Sequence, residues 1–377
     1  MRSIKLLYII NVDWYFMLHW LDRANAAKES GYDVHIAMAF TEERYRQSLE
    51  NAGFALHQIP LSRKSINPLT ELRSMLAINK VIKQLQPTLV HSVTIKPNIY
   101  AGIACQRYSI RAIASITGLG TTFSNSHYGL AAIAQYAIRK LYKKAFSGRQ
   151  SSVLFENKDD LSSMVGSNVI NKEQAIHIPG AGVDTTLYTV SPEPPSPPVR
   201  ILFAARLLKN KGLSDLVEAI HRLSKEHESI ELVVAGIIDN DARGKIPIKQ
   251  LEQWQQQGLI QWLGQVDDMP ALLNRVNIVC LPTRYGEGIP RILIEAAASG
   301  RVLIATDVPG CREIIIHKKN GLLVKPGDQN ELINALRTLI NEPATRKKMG
   351  YWGRQLIEQK YSTNIVIRKT LDIYKQG

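Results

Sequence analysis

The chain has 377 residues, which at roughly 100–200 residues per domain predicts two domains, and its 45% hydrophobic content excludes general disorder. Cys105, Cys280 and Cys311 are odd in number and widely spaced, which excludes a disulfide framework and zinc-ligand spacing and fits a reducing cytoplasm. The net charge of +14 is uneven: residues 63–155 hold thirteen Lys or Arg against one acid, Glu71, a field that favours an anionic partner.

The first residues are basic and then apolar, but the run is short, Asp13 ends it and no small-residue cleavage site follows, so residues 4–12 predict a buried strand and not an export signal. No stretch of about 20 apolar residues could span a bilayer. A loop is expected at 11–20 and a helix over 22–31 that stops at Gly31. A strand follows at 32–40, then a helix at 41–53 with Thr41 as N-cap. Next come a strand at 54–61, an amphipathic helix at 69–87 and a strand at 88–94. Strand and helix in alternation predict a parallel sheet with right-handed crossovers. Over 128–149, Ile133, Tyr136, Ala137, Leu141 and Ala145 share one helical face. Arg139, Lys140, Lys143 and Lys144 crowd the rest. Such a basic amphipathic helix suits an anionic membrane surface.

Residues 191–199, SPEPPSPPV, read as a stiff spacer outside any core. They divide a first domain, 1–190, from a second, 191–355. A closing segment, 356–377, is expected to return to the first. The alternation resumes with strands at 199–207, 230–238, 259–266, 277–283, 302–308 and 321–324. Helices are expected at 213–227, 269–276, 290–300, 330–343 and 345–361. The fold class is therefore α/β, two Rossmann-like parallel-sheet domains facing across a cleft, with ligands expected beyond the carboxyl ends of strands.

Two loops there carry chemistry. In YGEGIPRILIEAAASG, residues 285–300, a strand ends, Gly286, Glu287 and Gly288 form a loop, Pro290 suits the first helical position and Gly300 stops the helix. Free amides and the positive end of the helix dipole make an anion site. Glycines let a diphosphate approach the backbone. Glu287 and Glu295 can both face that site as sugar-hydroxyl acceptors, although Glu295 also stands at i, i+4 from Arg291 and could simply pair with it. In AARLLKNKG, residues 204–212, Arg206 and Lys211 lie five apart across a turn and could neutralise a leaving diphosphate. Alone, they would read as surface cations.

R-x4-K followed by the E-x7-E of EGIPRILIE closely resembles the retaining glycosyltransferases of family four, which have the GT-B fold. ATDVPGCREII and NGLLVKPGD extend the resemblance. It covers most of residues 200–330. More weakly, SRKSINP, HSVTIKPN and ITGLGTTF resemble members that build O-antigen, capsule or protein-linked oligosaccharides on an undecaprenyl-diphosphate carrier. The resemblance implies that Arg206, Lys211 and Glu287 carry catalysis. The two cations would hold the donor diphosphate and Glu287 the donor sugar. Gly288, Ile289 and Pro290 would line phosphates and sugar, Glu295 would bind the ribose, and Gly264 and Val266 would lie near the base. Acceptor-side candidates are Asp13, His19, Lys96, Gly118 and Gly120. No cofactor and no metal are implied: the donor is a nucleotide-sugar, taken as UDP-linked, and the acceptor a lipid-diphosphate-linked saccharide. The enzyme would be cytoplasmic and peripheral on the inner face of the cell membrane. The chain departs from the family at Ala205, where glycine is common, and in NVDWYFMLHW, where many members have a glycine-rich loop. His91, inside a strand, reads as a satisfied core histidine.

Three other readings compete. A nucleotide-sugar 2-epimerase on this scaffold would want more carboxylates and histidines at the sugar. A basic nucleic-acid-binding protein would show a recognisable motif, and no nucleic acid is expected. A nucleotide-sugar-binding pseudoenzyme would lack the donor constellation. DNDARG at 239–244 reads as a polar turn.

Overall fold

The computed structural model describes residues 4–62, 65, 67–119, 130–148, 150–226, 229–238 and 244–376. Gly120, most of DNDARG, and Arg63, Lys64 and Arg149 of the basic stretch lie outside the described residues. Two compact units result. The first is Met1–Ala181 with Ile365–Gly377, the second Gly182–Asn364.

In the first unit, β1 (Ile4–Val12), β2 (Tyr32–Ala39), β3 (Ala55–Gln58), β4 (Leu89–Val93), β5 (Arg111–Ile116), β6 (Ser151–Phe155) and β7 (Ala175–His177) form a parallel sheet in the order β3-β2-β1-β4-β5-β6-β7. In the second, β8 (Val199–Ala204), β9 (Ile230–Ala235), β10 (Gln261–Gly264), β11 (Ile278–Leu281), β12 (Val302–Thr306) and β13 (Gly321–Val324) form another, in the order β10-β9-β8-β11-β12-β13. Strands such as β4 and β12 are buried along their whole length. Continuous apolar runs are what helices on both faces of a parallel sheet require. The strand order reverses between β1 and β4 and between β8 and β11, the points at which open parallel sheets leave a crevice.

Three sequence expectations change. The stretch after β1 is helical, over Asp13–His19 and Leu21–Glu29: Phe16 and Trp20 bury themselves against Tyr8, and that burial outweighs the weak helical pattern. The division between units falls at Ala181, before the prolines, because Val183 and Tyr188 join the second unit's core. The proline stretch is bound to that unit. Buried Arg301 donates to Leu273 O (2.8 Å) and Ser191 O (3.2 Å), buried Arg346 pairs with Glu193, and Asn277 donates to Glu193 and Pro194.

The closing helix, Thr363–Lys375, buries Val366, Ile373 and Tyr374 in the first unit. The Tyr374 hydroxyl lies 2.8 Å from that of Tyr8 and 2.6 Å from His91 Nδ1, and His91 Nε2 is 2.8 Å from Ser115 Oγ. Arg111 donates to the last carbonyls, Tyr374 O (2.7 Å) and Ile373 O (2.5 Å), which suits a cation at a helix carboxyl end. His91 is the satisfied core histidine its position implied. Burial, helped by Arg23, holds its pKa well below the ordinary value.

Candidate functional site

Three loops of the second unit meet at the β8/β11 switch point. Past β8, a tight turn at Lys209–Lys211 ends in Gly212, φ 83°, where a Cβ would stand 2.0 Å from Pro282 O. Only glycine permits that approach. It brings the β8 loop against the end of β11, where Arg284 N donates to Asn210 O (2.8 Å) and the Arg284 guanidinium grips Asp215 with two bonds (2.9 and 2.6 Å). The loop after β12 closes from the other side. Glu287 N donates to Pro309 O (3.1 Å), and a Cβ on Gly310, φ 83°, would lie 1.6 Å from Gly288 O.

This clamp brings Lys211 and Glu287 together as an ion pair, their side chains 8% and 14% exposed. Lys211 Nζ also lies 5.0 Å from the Tyr285 ring centre. Burial alone would push the ammonium down, but Glu287 and Tyr285 outweigh it and hold its pKa above the ordinary value. Pro290 leads into the helix Arg291–Ala298, whose amino end no side chain caps, so its dipole and first amides face the loop. Arg206, half-buried, follows β8 directly.

Glu295 is buried about one turn into that helix. Arg291 Nε donates to it (2.6 Å) and Tyr188 hydrogen-bonds it. Burial raises its pKa, and Arg291 and Tyr188 only partly offset this. The pairing with Arg291 is thus present, and Tyr188, which no sequence signal marked, comes from the segment just before the prolines. On the other side of β8, Gly264 ends β10 at φ 68° and its carbonyl accepts from Gly236 N (2.7 Å). Val266 is half-buried just beyond. Arg206, Lys211, Gly264, Val266, Glu287, Gly288, Ile289 and Pro290 all occupy loops at the carboxyl edge of this one sheet, with Glu295 below them.

In the first unit, Asp13, His19, Lys96 and Gly118 follow the carboxyl ends of β1, β4 and β5. Two of them are engaged by partners within the first unit. Asp13 is fully buried and accepts from Thr41 N (2.5 Å), Thr41 Oγ1 (2.7 Å), Glu42 N (2.9 Å) and Trp14 N (2.8 Å), so it ties the β1 and β2 loops together. Lys96 Nζ donates to Ser62 O (2.8 Å), Ser65 O (2.5 Å) and Glu71 (2.8 Å), which uses all three ammonium donors. His19 is half-buried with its ring 4.4 Å from that of Tyr15. Gly118 has φ 114°, and Asp160 accepts from the next amide, Leu119 N (3.0 Å). Thr94, between β4 and the helix Ile95–Arg107, has φ 75° and a buried hydroxyl with no hydrogen-bond partner. That is strain a β-branched residue rarely carries outside a functional loop.

Comparison with known proteins bears on both units. Residues 187–356 match the family described as Glycosyl transferases group 1, and residues 5–157 that described as Glycosyl transferase 4-like. The N,N'-diacetylbacillosaminyl-diphospho-undecaprenol alpha-1,3-N-acetylgalactosaminyltransferase of Campylobacter jejuni is 25% identical over 348 residues, 88% of this chain and 89% of that protein. The capsular polysaccharide biosynthesis glycosyltransferase CapM of Staphylococcus aureus is 23% identical over 92% of this chain and 90% of its own length. Anabaena HepE, solved in complex with UDP and glucose, superposes with a TM-score of 0.80 at 17% identity, covering 100% of each chain.

Proposed function

The chain is a glycosyltransferase built of a 4-like and a group 1 domain, and from that premise we propose that it is a retaining enzyme moving a hexose or N-acetylhexosamine from a UDP-sugar to a lipid-diphosphate-linked saccharide. The observation that carries the reading is the buried Lys211–Glu287 pair beside an uncapped helix at the β8/β11 switch point. An ion pair held between glycine-clamped loops is a preorganised exchange site. A donor diphosphate takes over the Lys211 ammonium and adds Arg206, while Glu287, released, accepts from a donor-sugar hydroxyl. Lys211 trades one anion for another and Glu287 gains a hydroxyl donor, so donor binding leaves neither group without a polar partner. The backbone at Gly288, Ile289 and Pro290 faces phosphates and sugar, and Glu295, oriented by Arg291 and Tyr188, takes the ribose.

In the transfer, the bond from the anomeric carbon to the diphosphate oxygen breaks and the bond to the acceptor oxygen forms on the same face. The acceptor proton passes to the departing diphosphate oxygen, whose charge Lys211 and Arg206 stabilise. The configuration is therefore kept, and no metal or other cofactor enters. The acceptor reading is supported by the diphospho-undecaprenol in the Campylobacter relative's name and by the acid-poor stretch 63–155 of the first unit. Among the described residues no helix is long and apolar enough to cross a membrane. Contact with the inner face of the membrane is assigned to the helix Leu130–Ala145, which exposes Ile133, Tyr136 and Leu141 beside Lys140, Lys143 and Lys144. Ala145, placed on the same face by the sequence pattern, is buried instead.

Calorimetric titration of the protein with UDP and a panel of UDP-sugars, without added metal, tests the donor site. Lys211→Ala should weaken UDP by about 2 kcal/mol, as expected for the loss of a charge-assisted contact. A folded protein that binds no nucleotide or nucleotide-sugar would refute the reading.

A further inference from the structure

The helix Pro68–Leu85 leaves three leucines in water: Leu69 is 69% exposed, Leu72 46% and Leu76 55%. Single exposed leucines need no explanation, but these recur at i, i+3 and i+7. At about 100° per residue, Leu69, Leu72, Arg73, Leu76, Lys80 and Lys83 fall within one narrow arc. Ser74, Ile78 and Ile82 lie opposite and are buried. Glu71, the single acid of residues 63–155, points away from the arc, where Lys96 and Tyr100 bind it. The outward face is thus apolar in its amino-terminal half and basic in its carboxyl-terminal half, with no acid on it.

The helix Leu130–Ala145 is similar: Ile133 and Tyr136 face out in its amino-terminal half, then Lys140, Lys143 and Lys144 with Leu141 among them, while Tyr142 and Ala145 are buried. Between the two lies Ile95–Arg107, of which Pro97 through Gln106 are buried or half-buried. It is sunk against one neighbour through Lys96 and Tyr100, which bind Glu71. Against the other it packs at Gly102, where a Cβ would meet Ala145 O at 2.8 Å. Neighbouring helices pack about 8–10 Å apart, so the flanking two stand as ridges about 16–20 Å apart. Short links run from Leu85 to β4 and from Ala145 to β6. They place both basic halves at the amino edge of the sheet and both apolar halves toward its carboxyl edge, where Lys96 and Gly118 sit.

We propose that Pro68–Leu85 is a second membrane-docking element, and that the two ridges together seat the first unit on an anionic lipid surface with the carboxyl edge of its sheet at the lipid. The occupant follows from charge and shape: cations beside short apolar stripes match acidic headgroups over acyl chains. The inference rests on the membrane reading above and extends it from one helix to a plate of defined orientation.

The test is co-sedimentation of the full chain with phosphatidylcholine vesicles and with vesicles containing phosphatidylglycerol, alongside UDP titration. The variants are Leu72→Gln/Leu76→Gln and Ile133→Gln/Leu141→Gln, all at exposed positions. Wild type should bind the anionic vesicles in a salt-sensitive way. Each double variant should lose at least about tenfold, as expected for removing buried apolar area, with UDP affinity unchanged. If Leu72→Gln/Leu76→Gln binds like wild type while the other variant is released, the second ridge is refuted and the single-helix reading stands. If wild type ignores anionic vesicles, both fall. Equal binding to neutral vesicles overturns the electrostatic part. A dimer that dissociates in Leu72→Gln/Leu76→Gln, with vesicle binding intact, overturns the proposal in favour of a second copy of the chain.

Discussion

Replacing Lys211 by methionine keeps the length of the side chain and removes its charge. Glu287, 14% exposed in the clamped loop, loses its ammonium partner. Removing one partner of a buried ion pair costs about 3–5 kcal/mol, and the residual exposure of Glu287 places this case near the lower end, about 3 kcal/mol. For a domain the size of the second unit, Tm falls by about 2–4 °C per kcal/mol, so scanning calorimetry should show that unit melting about 6–12 °C lower. Adding Glu287→Gln removes the stranded carboxylate, and the double variant should regain more than half of the loss. The sign of the pH dependence is fixed as well. The Lys211 pKa is raised above its ordinary 10.5, so its contribution is complete below that value and fades only as pH rises through the folded-state value. The Tm difference should therefore stay level from pH 7 to 9. A Lys211→Met protein melting within about 2 °C of wild type, or a double variant as unstable as the sum of its singles, would show that the pair holds nothing together.

Two further outcomes follow from geometry. Gly310→Ala drives a Cβ into Gly288 O, 1.6 Å away, at φ 83°. It should displace the Glu287 loop and weaken UDP binding at least about tenfold, measured by titration, and unchanged affinity would remove the clamp from the donor-site account. His91, neutral in the core with its pKa pressed below the ordinary 6.5, binds fewer protons folded than unfolded. Its contribution is complete above pH 6.5 and is lost as pH falls below it. His91→Gln, which still offers a donor and an acceptor, should flatten the acid-side fall in the first unit's Tm, and an unaltered pH slope in thermal scans would place the titrating group elsewhere.

Pattern and spacing alone determined the two alternating α/β halves and marked the two loop motifs of the second unit, because those signals are local: an apolar run, a glycine beside a carboxylate, two cations across a turn. They also marked the basic stretch of the first unit. What only tertiary structure decided depends on partners distant in sequence. Lys211 meets Glu287 because Gly212 and Gly310 let three loops crowd together. Asp13 and Lys96 looked available from their positions after β1 and β4, yet Thr41 and Glu42 satisfy the first, and Ser62, Ser65 and Glu71 the second. Tyr188 reaches Glu295 from residues that the sequence pattern assigned to the first domain. The prolines after it, read as a spacer, are strapped to the second unit by buried Arg301 and Arg346. Local sequence records what a residue can do, but only the packed fold decides which donors and acceptors remain for a ligand, since buried polar groups bind whatever partner the fold brings nearest.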